Sequence, residues 1–173
     1  LNLATRSVLI NEILAHTDPP LQDYIELFNY SSAAVNIGGC VLTDDPTTNR
    51  FSIPPGTTIP ALGFLAFNQS QLGFALNADG ESNYLIAADG SRVLSALRFN
   101  DQENGVAFGR YPDGAPAWRR LGGVTQGTNN APPLFSDVVI NEVQYHPGSD
   151  DDDAEFVEIH NRGTNLVTLD NWR

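Results

Sequence analysis

Two glutamates sit inside apolar runs, and both occur twice. Glu12 stands in Val8-Leu9-Ile10-Asn11-Glu12-Ile13, and Glu26 in Asp23-Tyr24-Ile25-Glu26-Leu27-Phe28-Asn29. Glu142 holds the matching place in Val138-Val139-Ile140-Asn141-Glu142-Val143, and Glu158 in Glu155-Phe156-Val157-Glu158-Ile159-His160-Asn161. A carboxylate taken out of water must find a partner or keep its proton. Three uses follow: a structural ion pair or a set of backbone hydrogen bonds, a metal ligand, or a catalytic acid. On a regular strand Glu12 shares a face with Ile10 and Leu14, which leaves it partly buried. The structural use is the expectation here, with Arg110 as the counter-ion.

Other polar groups are less pointed. His16 and His146 also correspond, but roughly 13 Å of extended strand separates Glu12 from His16, too far for one ion. His16 is therefore expected to open a turn. Asp150-Asp151-Asp152-Asp153, followed by Glu155, is either a solvated acidic loop or a set of hard oxygen ligands for calcium. Asn77, Asp79, Glu81 and Asn83 alternate in a similar way. They lack the glycine placement and closing glutamate of an EF-hand loop, so turn chemistry is their simplest role. There is no Gly-x-Ser-x-Gly, no His-Glu-x-x-His, no glycine-rich phosphate loop and no paired cysteine. The chain is not expected to be an enzyme, and calcium is its one candidate cofactor.

The elements that must position these groups are strands. Ile25 and Leu27 face one way along residues 23–29, and Tyr24, Glu26 and Phe28 the other. Short apolar runs separated by turn signals continue through Val35–Leu42, Phe64–Phe67, Tyr84–Ala87, Val93–Phe99, Val106–Arg110 and Trp118–Leu121. No window keeps a helical apolar period, and only a short turn of helix near Gln69 to Leu76 is expected. The pattern predicts an all-β antiparallel sandwich or barrel. Cys40 reads as a small buried hydrophobe, and Trp118 and Trp172 as packing residues.

The duplication sets the domain organisation. Val8–Ile13 returns at an offset of 130 residues, Asp23–Asn29 at 132, and Val35-Asn36-Ile37 as Val167-Thr168-Leu169 at 132 again. A period that long implies tandem copies of a whole domain. One copy over residues 1–130, a Pro-rich linker at 131–137 and an incomplete second copy at 138–173 are expected, as a piece of a larger protein. Net charge is −12, with nine arginines and no lysine. Such a chain lacks the clustered cations that nucleic acid requires, and its apolar runs are too short for membrane insertion.

The chain resembles the lamin tail domain family in its bacterial form. The resemblance rests on Ile10–Ile13, Asp23–Asn29, Val35-Asn36-Ile37-Gly38-Gly39 and Ile53-Pro54-Pro55-Gly56-Thr57-Thr58-Ile59. It continues through Gly109-Arg110-Tyr111-Pro112-Asp113-Gly114 with Trp118, and so covers about residues 6–130. It implies an immunoglobulin-like antiparallel β-sandwich and a non-catalytic module of an extracellular or cell-surface bacterial protein. The partners expected are other proteins or copies of the same chain, joined by β-augmentation. An accessory domain of a secreted hydrolase, or a calcium-dependent binding module, are the other readings.

Overall fold

The strand alternation of residues 8–29 builds the middle of the molecule. In this computed structural model, which describes residues 3–148 and 154–169, a 3-10 turn (Leu3–Ser7) leads into β1 (Val8–Leu14). There follow β2 (Tyr24–Asn29), β3 (Val35–Asn36), β4 (Val41–Asp45), β5 (Asn49–Ser52), β6 (Thr58–Ile59) and β7 (Phe64–Asn68). A single helical turn, α1 (Gln69–Leu72), is closed at its start by Asn68 and at its end by Gly73. Then come β8 (Ser82–Ile86), β9 (Val93–Arg98), β10 (Phe108–Arg110), β11 (Trp118–Arg120), β12 (Val138–Gln144) and β13 (Phe156–Asn161).

The first unit, Leu1–Leu134, is a sandwich of two antiparallel sheets. One runs β11-β10-β1-β2-β7 and the other β5-β4-β8-β9, while β3 pairs with β6. Ile10, Ile13, Ile25, Leu27 and Phe67 of the first sheet meet Leu42, Leu85 and Leu97 of the second in one core, which Cys40, Ile37 and Ile53 extend. Cross-sheet burial of this kind is what stabilises a sandwich, at about 25 cal/mol per Å² of apolar surface removed from water.

Residues 131–134 are not a free linker. Gly122 donates its N–H to the Pro132 carbonyl, Leu134 donates to the Arg120 carbonyl, and Pro133 bridges to Leu121. A proline cannot donate to a neighbouring strand, but its carbonyl still accepts. The Pro-Pro stretch therefore finishes the first sandwich, and the second unit starts at Phe135.

That second unit contains the antiparallel hairpin β12–β13. Its pairing copies that of β1–β2. Ile140 faces Ile159 and Glu142 faces Glu158, with a register shift between Ile140 and Glu142, as Ile10 faces Leu27 and Glu12 faces Glu26 with a shift between them. Asn161 donates to the carbonyl of Asn165, as Asn29 does to that of Ala33. Val167–Leu169, which repeat Val35–Ile37 in sequence, form no strand, and Trp172 lies outside the described residues.

Candidate functional site: a buried carboxylate pair

The register shift in β1 decides where Glu12 goes. Asn11 is the extra residue of a β-bulge, so Ile10 and Ile13 both face the sandwich core. A bulge resets the alternation of faces. Glu12 therefore does not share a face with Ile10, as unbroken alternation would have it. It lies on the outer face of its sheet beside Leu14, directly across from Glu26, and Tyr24 lies next to both.

The outer face is covered. Leu14, Tyr24, Ala107 and Leu121 form a second buried cluster, joined by Ala66 and Ala131. The segment from Leu121 to Asn130 crosses above the two glutamates, and neither glutamate has any solvent exposure. Glu12 accepts hydrogen bonds from the Tyr24 hydroxyl, from the Thr125 N–H at 3.1 Å and from the Thr125 hydroxyl. Glu26 accepts through Oε2 from the Gly127 N–H, while its buried Oε1 has no partner among the described residues.

Asn11 and Asp113 tie the cover at its other end. Asn11 donates to Asp113 Oδ1 at 2.9 Å and accepts from the Gly114 N–H at 3.0 Å. Asp113 also receives the N–H of Asn130 at 3.1 Å and the side-chain amide of Asn129 at 2.8 Å. Asn130, itself buried, donates its side chain to the carbonyls of Arg110 and Asn11 at 2.8 and 3.3 Å. This needs glycine at 109: a Cβ there would stand 2.6 Å from the Asn130 Nδ2 and 2.8 Å from Leu121. Gly114 is required for a different reason, because its φ of 75° is left-handed.

All the donors to the pair are neutral. Two carboxylates directly opposed on neighbouring strands repel when both are charged. Burial, with Glu12 close by, pushes the Glu26 carboxyl up to about 8, against the opposing pull of the Gly127 N–H. Burial and the nearness of Glu12 push the Tyr24 phenol well above its ordinary range. Near neutral pH Glu26 therefore keeps its proton. The arrangement is a staple holding residues 111–130 to the sheet. Both glutamate side chains are closed off from solvent by that segment.

The expected counter-ion is not found there. Arg110 donates its Nε to the Ile10 carbonyl at 2.8 Å and an NH to the Ala115 carbonyl at 2.6 Å. Its guanidinium lies 4.7 Å from the centre of the Trp118 ring, which in turn stacks on Phe108. The one ion pair among the described residues joins Arg120 to Glu103 on the surface. Neutral donors already satisfy Glu12, so Arg110 is spent instead on carbonyls that the bulge and the turn leave unpaired.

The other sequence candidates separate. Glu142 and Glu158 face each other in register but are exposed, and Asn141 donates to Glu158. Asp150–Asp153 lie outside the described residues, and Glu155 is exposed. His16 sits where the chain leaves β1, with Nδ1 2.9 Å from the Gln102 carbonyl. Among the described residues no three Asp, Glu, His or Cys side chains group as a metal centre. Nor is any helix long and apolar enough to cross a membrane. Sequence reasoning missed Thr125, Gly127 and Asn130, which lie in a stretch without alternation. A single cue stood there: a Gly- and Thr-rich run too short of apolar residues to be a strand.

The family model described as Lamin Tail Domain matches residues 2–100, more than half of the chain. The matched span holds β1 through β9 and ends before β10 and the cover segment. A comparison with curated proteins finds no match.

Proposed function

The chain belongs to the lamin tail domain family, a family of immunoglobulin-like, non-catalytic β-sandwiches, and from that premise we propose an interaction module that docks through the β12–β13 hairpin. One observation carries the reading. Ile140, Val143, Val157 and Ile159 are exposed by 68, 53, 57 and 55%. Their register equivalents Ile10, Ile13, Ile25 and Leu27 have no exposure at all, because β4, β8 and β9 cover them. The same ribbon therefore has an apolar face with a known kind of cover: the aliphatic inner face of an antiparallel sheet.

We take β12–β13 to be a second copy of the domain's opening, and its partner to be the same exposed apolar face of β12–β13 in another copy of the chain. An exposed apolar ribbon with free edges is a ready site for strand addition. The setting we propose is the cell surface or extracellular space of a bacterium, as the family resemblance implied. Cell fractionation of the tagged chain tests that setting.

Light scattering of the whole chain across a concentration series tests the docking. It is best run at 0.15 M salt or above, where the screening length of about 8 Å weakens repulsion between acidic chains. Association that Val157→Asp with Ile159→Asp removes is the expected result. A chain that stays monomeric at every concentration would count against self-assembly.

A further inference from the structure

A second group of buried oxygens, remote from the glutamate pair, lies where β4 and β8 meet. Leu42 faces Leu85 and Thr43 faces Tyr84; Asp44 and Asn83 are the next residues outward on the two strands, Asp44 at a bulge in the pairing of β4 with β5. Asn83 pairs with the core residue Leu97 across β8–β9 and is fully buried. It donates Nδ2 to Glu81 at 2.8 Å, and its Oδ1 finds no donor among the described residues. Asp44 shows the same imbalance. Its Oδ2 accepts from Asn49 at 3.1 Å, while its Oδ1 is buried without a partner among the described residues.

These atoms are all acceptors, and no arginine forms an ion pair with either carboxylate among the described residues. Burial pushes the Glu81 carboxyl up, and Asp44 and Asp23 add their negative fields to it. Asp23 is already filled by the Thr17 hydroxyl and the Leu76 N–H, and so contributes field alone. A buried acceptor without a donor is destabilising, and more so if it is charged. What the group lacks is positive charge, in a form that takes oxygen from several directions.

We propose that Asp44, Glu81 and the Asn83 Oδ1 form a binding site for a divalent cation, with calcium as its ion. Two carboxylates balance its charge, and an amide oxygen is an ordinary calcium ligand. Waters and backbone carbonyls complete the six to eight oxygens that calcium takes. Magnesium fits less well, since it demands a tight octahedron and gives up its water reluctantly. The site ties the bulged end of β4 to β8, at the edge of the core.

Thermal unfolding of the full chain, in chelator and then across a calcium chloride series, tests this. The concentration at which the melting temperature begins to climb, which marks the dissociation constant, is expected at about 10⁻⁴–10⁻³ M, as in modules of weak affinity. The melting temperature should rise by about 3–6 °C at ten times that concentration. Asp44→Asn should move that concentration upward by roughly tenfold or more, because ligand charge sets affinity. Asn83→Asp, which adds a third carboxylate, should shift it downward. Glu81→Gln repeats the first arm if Asp44→Asn does not fold. No rise in the parent chain overturns the proposal, as does a rise that both charge-removing variants leave intact, which would place the ion elsewhere.

Discussion

The hairpins β1–β2 and β12–β13 share one register, one bulge and one pair of facing glutamates, yet they live in opposite surroundings. In the first, the second sheet covers one face and residues 121–130 the other, so that Glu12 and Glu26 are sealed. In the second, every residue of β13 is exposed and Glu142 and Glu158 meet water. The bulge survives without the cover, so it is written into the hairpin itself. The raised affinity of Glu26 for its proton is written into the cover. Local sequence sets the geometry, and tertiary burial sets the chemistry.

Truncation at equivalent core positions should show the largest contrast. Leu27→Ala removes a side chain with no exposure and is expected to cost about 2–5 kcal/mol in urea unfolding. Ile159→Ala, at the equivalent place in the exposed hairpin, is expected to stay within about 0.5 kcal/mol in dilute solution. Equal losses would mean that β12–β13 is covered in solution.

The next contrast is in pH. Glu26 titrates near 4.5 when unfolded and at about 8 in the fold. Between those values the folded chain holds the extra proton, so this group's contribution is full below about pH 4.5 and is lost as pH rises through 8. Stability measured from pH 5 to 9 should fall, and Glu26→Gln, which mimics the protonated acid, should flatten that fall. A Glu26→Gln profile as steep as the parent's would break the link between burial and proton.

Much of this was legible beforehand. Alternation at Ile25 and Leu27 against Tyr24 and Glu26 placed β2 as it stands, and Cys40 sits in the core as its apolar neighbours suggested. The facing of Glu12 was not legible, because a bulge is one residue that a period of two cannot reveal. The role of Arg110 failed for a related reason. Charge complementarity named a carboxylate, but the bulge left carbonyls nearer to hand, and Trp118 offered a ring face. Thr125 and Gly127 reach the glutamates across about a hundred residues of chain, a separation at which no local pattern speaks.

A smaller effect isolates the cover. Thr125→Ala keeps the backbone N–H that Glu12 accepts and removes the hydroxyl alone. One hydrogen bond to a buried acceptor is lost, at about 1–2 kcal/mol. Amide exchange should quicken at Gly127 and Asn130 in this variant and hold steady in β12–β13.

The smallest expected effect completes the comparison. Asn141 donates to Glu158 as an exposed pair, and water replaces such a partner at little cost. Asn141→Ala should therefore change stability by no more than about 0.5 kcal/mol. Asn11→Ala, at the equivalent bulge, strips Asp113 and Gly114 of a fully buried partner and should cost about 1–3 kcal/mol by the same assay. If the two substitutions cost the same, the bulge asparagine serves the hairpin alone. If they differ as expected, the asparagine's main work in the first unit is to hold the segment that closes over the glutamates.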